Sequence, residues 1–262
     1  YRTNAQSRVI EESLRRKNIP YRIYSGKSFY ERAEVKLFLS YLKLVANERD
    51  DESFLRIINV PARGLGDVSL QKLSNAATDK RVSLSEAVKL PNLEEYGLRS
   101  AVVEKFRKFV QAIESVREAF WSDDAYHMAL RVNGQFGIIE AFKQENTIES
   151  LSRVENLEEL LNSIKQYVED KEVEYADENQ EAMENGEAVP LITLDEYLAN
   201  VTLLADVDIK DEEGDSNKVS LMTVHTSKGL EFPYVYVIGM EENLFPSRSS
   251  DFISEQDLEE ER

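Results

Sequence analysis

A short polar segment near the C-terminal end of the chain carries residues whose types and spacing could bind a nucleotide or a nucleic acid. Thr223 ends a β-branched run at 219–223, and His225, Gly229 and Glu231 follow it. In parallel α/β sheets, ligand sites gather at the carboxyl ends of strands. A hydroxyl or an imidazole can contact phosphate, a carboxylate can accept from a ribose hydroxyl, and glycine lets backbone approach closely. An ordinary turn between a strand and a helix would show the same residue types.

A second candidate is the glycine turn at 59–69, with the sequence NVPARGLGDVS. Gly64 and Gly66 precede a predicted helix, and the free N–H groups at a helix N-terminus form a cradle for phosphate. Arg63 and Ser69 flank the two glycines. A simple turn with no ligand would have the same pattern, so both readings stay open on these residues alone.

The first residues of the chain, YRTNAQSR, indicate a strand end that turns into a helix. Thr3 or Asn4 would serve as the N-cap. Arg2 can bind phosphate through two parallel hydrogen bonds, and Asn4 is a neutral donor. A helix start with no binding role is the alternative.

Several patterns are rejected as sites. Gly26-Lys27-Ser28 resembles the end of a Walker A phosphate loop, but Tyr21 stands where that loop needs a glycine. The chain has no cysteine, which excludes disulfides and thiolate metal sites. The carboxylates at 206–215 lack the ligand order of an EF-hand calcium loop. We therefore predict no metal-binding residue.

Hydrophobic periodicity predicts a helical middle between two pieces of α/β character. Strands are predicted at 21–24, 219–223 and 234–239, with a short helix between the last two. The acidic stretches 169–190 and 206–217 hold few large apolar residues and are predicted to be loops. Helices are predicted at 5–17, 30–46, 51–58, 68–77, 83–89, 98–121, 123–133, 134–145, 148–170 and 193–204.

Charge divides the chain unevenly. The net charge is −18, but residues 1–110 hold 21 Lys and Arg against 14 Asp and Glu, whereas residues 111–262 hold 11 against 36. A DNA-binding surface is therefore expected mostly in the first 110 residues, and the acidic part should face solvent or a protein partner. No apolar run approaches the length of a membrane span. The composition fits a cytoplasmic protein with no membrane contact.

The segment VSLMTVHTSKGLEFPYVYVIGMEENLFP closely resembles motif V of the UvrD/PcrA/Rep family of DNA helicases. The resemblance implies that Thr223 and His225 contact single-stranded DNA, and that Gly229 and Glu231 lie at the nucleotide. The first residues resemble motif IVa of the same family, which implies that Arg2 and Asn4 grip the single strand.

The glycine turn resembles the family's RGIG hairpin, which holds duplex DNA. The resemblance implies duplex contacts by the turn itself and by Lys36 in the matching basic helix. The residues so assigned are Lys36, Arg63, Gly64, Leu65, Gly66 and Ser69.

The resemblance covers nearly the whole chain and implies a mainly α fold. A helical insertion domain (2B-like) at 29–215 would be flanked at 1–28 and 216–262 by incomplete pieces of a RecA-like α/β motor domain (2A-like). The chain would be a C-terminal-half fragment of an enzyme that uses ATP and Mg²⁺. That enzyme would move along single-stranded DNA in the 3′-to-5′ direction and unwind duplex DNA in repair or replication, with repair or replication proteins as partners.

The fragment itself is expected to contain no catalytic residue and to hydrolyse no ATP, because phosphoryl transfer needs a phosphate cradle, a metal and an arginine together. Two alternatives stay open. The chain could be an acidic helical module for protein interaction or regulation. It could also come from a related nuclease–helicase subunit, which its compact insertion disfavours.

Overall fold

Helices dominate this computed structural model. The backbone divides into two compact units, one of Ala33–Val207 and one that joins Tyr1–Arg32 to Asp208–Arg262. The structure describes residues 1, 7–17, 19–24, 29–179, 189–208, 218–224 and 226–240. The predicted sites at Arg2, Asn4 and His225, the rejected Walker-like triplet and the last part of the motif V segment lie outside these residues.

Helix α2, Ala33–Ala46, forms the centre of the larger unit. Ten of its 14 residues are buried, which fits a sequence that is apolar on nearly all sides. The helices around it are α3 (Asp51–Ile57), α6 (Ser100–Arg117), α7 (Ala125–Phe136) and α9 (Ile148–Glu178), all of which pack against α2. The remaining elements of this unit are α4 (Asp67–Lys80), α5 (Leu84–Val88), α8 (Ile138–Glu145), α10 (Leu194–Asp208) and a short 3₁₀ turn at Leu93–Tyr96; a second 3₁₀ turn, Phe29–Glu31, belongs to the smaller unit.

Side-chain caps explain where several helices begin. Asp50 accepts from the amide of Ser53 at the start of α3, and Asp124 accepts from the amide of His127 at the start of α7. Ser83 begins α5 with a reciprocal capping box to Glu86. Each cap satisfies an amide that the helix itself leaves without a partner.

The smaller unit contains helix α1 (Ser7–Arg16) and strands β1 (Tyr21–Ile23) and β2 (Val219–Leu221). The two strands pair in parallel, with Tyr21 opposite Val219. On the other side of β2, the amino group of Tyr1 donates to the carbonyl of Met222 at 3.2 Å, and the amide of Val224 donates to the carbonyl of Tyr1 at 2.9 Å. Residue 1 therefore occupies the next strand position of the sheet.

The two predicted acidic loops are partly wrong. The stretch predicted as a loop from residue 169 is helical as far as Glu178. Glu, Lys and Ala are good helix formers, and ion pairs along the helix, Lys165–Glu169 and Lys171–Glu174, offset part of the acidic repulsion. The first three residues of the predicted loop at 206–217 are likewise helical, because α10 continues to Asp208.

The predicted strand at 234–239 does not form, and hydrogen-bonded turns at 226–229 replace the predicted short helix. The side chains of Tyr234 and Tyr236 are 86% and 87% exposed. A β-branched run becomes a strand only when a neighbouring strand supplies its ladder. Within the described residues, β1 and β2 pair with each other and not with 234–239. None of the helices in the described ranges is long and apolar enough to cross a membrane.

Candidate functional site

The side chain of Arg63 holds the backbone around the glycine turn in place through four hydrogen bonds. Its Nη1 donates to the carbonyl oxygens of Ile57 at 3.0 Å, Ile58 at 3.0 Å and Pro61 at 3.2 Å. Its Nη2 donates to the hydroxyl of Tyr41 at 2.8 Å. The guanidinium therefore ties the end of α3, the following turn and the central helix α2 together.

Two aromatic rings near Arg63 also stabilise its position. Its guanidinium carbon lies 4.9 Å from the ring centre of Phe109 and 5.6 Å from that of Phe136, both within range of cation–π attraction. Tyr41 is fully buried, and its hydroxyl donates to the carbonyl of Val60 at 2.5 Å. Burial raises the pKa of Tyr41 above its usual range, so its hydroxyl stays protonated at neutral pH.

Asn59 and Leu65 hold the second half of the turn. The amide of Leu65 donates to Oδ1 of Asn59 at 3.0 Å, and Nδ2 of Asn59 donates back to the carbonyl of Leu65. The side chain of Leu65 is completely buried. Between them, Gly64 adopts a left-handed backbone conformation with φ +67°, which L side chains rarely adopt. The sequence therefore forms one defined turn whose apolar residue points into the core.

Helix α4 begins at this turn without a side-chain cap. Gly66 is its N-cap, with extended backbone angles of φ −77° and ψ 163°. The carbonyl of Gly66 accepts from the amides of Ser69 at 2.8 Å and Leu70 at 3.1 Å. The earlier amides of the first turn have no partner inside the helix, and an uncapped N-terminus of this kind attracts anions. The carboxylate of Asp67 lies at the same end and opposes that attraction.

Lys105 of α6 reaches the outer side of the turn. Its exposed ammonium donates to the carbonyl of Arg63 at 3.0 Å and lies 3.5 Å from the carbonyl of Gly64. A Cβ on Gly64 would lie 3.0 Å from the same Nζ. No sequence signal pointed to Lys105, because it is one of two lysines and two arginines on an amphipathic helix and lies 42 residues from Arg63 in the chain.

Lys36 lies on a different side of its helix. Five residues of α-helix turn through about 140°, so Lys36 and Tyr41 project from different faces of α2. The ammonium of Lys36 is exposed, and within the described part of the chain no hydrogen bond or ion pair joins it to the glycine turn. The structure thus brings Arg63, Gly64, Leu65, Gly66 and Ser69 together and leaves Lys36 apart from them.

The polar segment after β2 forms a tight turn around Thr223. Its Oγ1 accepts from the amide of Thr226 at 3.1 Å, and the two threonine hydroxyls lie 2.8 Å apart. The amide of Ser227 donates to the carbonyl of Thr223 at 3.0 Å. Each hydroxyl carries one proton and the bond between them uses one, so the pair keeps one proton for a ligand. Thr226 was not among the predicted site residues, although the Thr-x-x-Thr spacing is typical of such turns.

Gly229 and Glu231 follow at the end of this turn. Gly229 has φ +82°, and among the described residues no heavy atom lies within 4 Å of the position of a Cβ, so they leave the backbone open to approach. Glu231 is exposed. Phe232 packs edge-on against Tyr24, with ring centres 6.4 Å apart, which holds this segment beside the carboxyl end of β1. The described residues contain no group of three or more His, Asp or Glu that could hold a metal ion.

The chain resembles known proteins over its full length. A family model described as "UvrD-like helicase C-terminal domain" matches residues 1–262. The chain is 38% identical to the ATP-dependent DNA helicase PcrA of Staphylococcus aureus and 37% identical to that of Staphylococcus epidermidis. Both alignments cover 100% of this chain and 33% of the relative, so the chain spans about a third of the length of the curated relatives it matches.

Proposed function

Because the chain belongs to the family of UvrD-like helicase C-terminal domains, we propose that it serves as the DNA-holding part of an ATP-dependent DNA helicase. In this proposal the glycine turn before α4 binds the phosphate backbone of duplex DNA. The observation that carries it is the uncapped start of α4 at Gly66, on a turn that Arg63 fixes from inside and that Lys105 meets from outside. Leu65 packs the turn onto the core, and Ser69 lies in the first turn of the helix.

The proposed contact with single-stranded DNA rests on the turn around Thr223. The hydroxyl pair of Thr223 and Thr226 keeps one free proton, which suits a phosphate oxygen. Arg2, Asn4 and His225 are proposed to contact the same strand, on the resemblance alone. Lys36 is proposed as a separate duplex contact, on a face of α2 different from the one that meets the turn.

The nucleotide side of the proposal rests on Gly229 and Glu231. The open backbone at Gly229 and the exposed carboxylate of Glu231 fit the sugar end of ATP, which would supply the energy for movement. We place no Mg²⁺ contact on the described residues, since they contain no suitable cluster of ligands.

The larger unit is proposed to be the inserted helical domain and the smaller unit to be part of the RecA-like motor domain. We further propose that the whole enzyme moves 3′-to-5′ along single-stranded DNA in the cytoplasm, in repair or replication. A parallel sheet with polar residues after its strands supports the motor assignment of the smaller unit.

A protein-interaction role is the second candidate. It is favoured by α9, whose acidic last turns extend to Glu178 and expose Val173 among carboxylates. A basic protein partner would suit this surface. The two functions differ in where charge matters: duplex binding depends on the glycine turn, whereas partner docking depends on α9.

The duplex proposal is tested by Gly66→Asp against Gly66→Asn. Gly66 has the extended backbone of an N-cap and nothing within 4 Å of an added Cβ, so both side chains fit. Both are good N-caps and should leave the melting temperature equal or higher. Only the aspartate places a negative charge where the phosphate would lie.

We expect Gly66→Asp to bind a labelled DNA duplex at least about tenfold more weakly than Gly66→Asn at low salt, because of like-charge repulsion. Fluorescence anisotropy measures the affinity, and circular dichroism confirms folding. Equal duplex affinity of the two variants would overturn the assignment of the glycine turn.

A further inference from the structure

Two cations lie at the glycine turn, and their surroundings differ. The Arg63 guanidinium is half-buried, lies over the rings of Phe109 and Phe136, and gives hydrogen bonds to three backbone carbonyls and to Tyr41. Lys105 is exposed, and its ammonium donates to the carbonyl of Arg63 in the same turn. The family resemblance implies a duplex contact by Arg63 and gives no role to Lys105.

Hydrogen bonding inside the protein also differs between the two residues. A guanidinium has five N–H groups. The two on Nη1 of Arg63 serve three carbonyls, so one of them is shared, and one on Nη2 meets Tyr41. An ammonium has three N–H groups, and Lys105 gives one well-formed bond, to the carbonyl of Arg63. Lys105 therefore keeps donors and its full charge at the surface, next to the uncapped start of α4.

We propose that Lys105 supplies the phosphate-binding charge of the duplex site, and that Arg63, together with Tyr41, is a positioning residue that shapes the turn without touching DNA. This inference rests on the proposed duplex function of the turn and assigns phosphate binding and positioning at that site to two different residues. Lys105 would neutralise a phosphate directly beside Gly64, where the absence of a Cβ leaves room for its ammonium.

Salt dependence distinguishes the two roles. A cation that neutralises a phosphate releases a counterion, and each such contact adds about 0.9 to the slope of log affinity against log salt for duplex DNA. A residue that acts through backbone carbonyls changes the affinity and leaves that slope nearly unchanged. Both quantities come from one set of titrations at several salt concentrations.

The first test uses Lys105→Gln, with Lys165→Gln as the matched control. Lys165 is an exposed lysine on α9 that pairs with Glu169, so its replacement removes the same charge elsewhere. We expect Lys105→Gln to lower the salt slope by about 0.9 and the control to leave it unchanged. An unchanged slope in Lys105→Gln, or an equal fall in the control, would overturn the role of Lys105.

The second test exchanges the cations without changing the charge. Lys105→Arg keeps a surface cation and should retain duplex affinity within about twofold, because phosphate accepts either group. Arg63→Lys keeps the charge, but a single ammonium cannot replace the fork that meets three carbonyls and Tyr41. We expect Arg63→Lys to weaken duplex binding about tenfold at constant slope. Unchanged affinity in Arg63→Lys would overturn the positioning role.

Tyr41→Phe keeps this test decisive if Arg63→Lys fails to fold. Tyr41 is fully buried and cannot reach DNA, so its hydroxyl can act only through the turn. We expect a severalfold loss of duplex affinity at constant slope, and unchanged affinity would count against the inference. If Gly66→Asp and Gly66→Asn bind equally, the duplex function itself fails. If those two differ while the Lys105 slope is unchanged, only the present inference fails.

Discussion

The ammonium of Lys72 lies 2.6 Å from the carbonyl oxygen of Gly97. Lys72 belongs to α4, and Gly97 lies in the turn before α6. The reverse contact also exists, because Lys105 of α6 reaches the carbonyls of Arg63 and Gly64, in the turn before α4. Each helix therefore holds the glycine turn that precedes the other, and the two turns are fixed as a pair.

Gly64 and Gly66 should respond differently to the same substitution. We expect Gly64→Ala to lower the free energy of unfolding by about 1–2 kcal/mol, since its φ of +67° is left-handed. Its new Cβ would also lie 3.0 Å from the Lys105 ammonium. Gly66→Ala keeps an allowed backbone and open space, so its loss should be clearly smaller. Chemical denaturation measures both, and equal losses would contradict the assigned backbone conformation.

Asp67 opposes an anion at the start of α4 and should limit duplex affinity. We expect Asp67→Asn to raise that affinity by about twofold to fivefold at low salt. The same change should lower stability by about 0.3–1 kcal/mol, because an acidic residue in the first turn favours the helix dipole. Asp195→Asn, in the first turn of α10, is the control and should lose stability with no gain in binding. A gain in the control would point to a nonspecific effect of charge.

We predict that substitutions of Thr223 and Thr226 affect the binding of single-stranded DNA to different extents. Thr226→Val keeps the amide bond to Thr223 Oγ1 and frees the Thr223 proton, so binding of single-stranded DNA should change by less than about twofold. Thr223→Val removes both the acceptor of the Thr226 amide and the hydroxyl proton, and we expect the affinity for single-stranded DNA to fall about tenfold. Thr223→Ser should bind like the unmodified chain. A larger loss in Thr226→Val than in Thr223→Val would assign the contact to Thr226.

The capping box of α5 predicts a component of acid stability. The Ser83 amide donates to Glu86 at 2.9 Å, and this bond, followed by the Ser83 hydroxyl and Arg49, lowers the pKa of Glu86 below its usual 4.5. A depressed folded pKa contributes stability above the unfolded pKa, and that contribution is lost as the pH falls through 4.5 toward the folded value.

We therefore expect the melting temperature of Glu86→Gln to fall less steeply than that of the unmodified chain as the pH is lowered through this acidic range. Glu95→Gln, at an exposed glutamate of the same unit, is the control for the removal of one carboxylate. If Glu86→Gln instead lowered the melting temperature by the same amount at every pH, the capping hydrogen bonds would matter and the charge of Glu86 would not.

The sequence identified local features of the larger unit well. Periodic apolar residues predicted α2 within a few residues of its bounds, and the glycines marked the turn before α4. Local signals sufficed because helix periodicity and glycine turns depend on neighbouring residues. Acidic composition predicts a loop from residue 169, but the residues through Glu178 are good helix formers and continue the helix.

The contacts that define the candidate site could not be predicted in the same way. Tyr41 meets Arg63 across 22 residues, and Lys105 meets it across 42, so only the packing of α2 and α6 brings them together. Arg63 was predicted to contact duplex DNA, and nothing in its neighbouring residues reveals that its donors are directed inward. The strand at 234–239 failed for a related reason, since pairing depends on a distant partner.

The two-stranded sheet has a consequence for the order of folding. Its strands join residues 198 positions apart, as Arg22 and Ser220 show, and only three residues of each strand pair. Such a contact must close a very long loop, whereas the helical unit between the strands relies on shorter-range contacts. We expect the sheet to form after the helices and to open before them. In pulsed amide hydrogen exchange, Tyr24 and Val219 should gain protection later than the buried residues of α2.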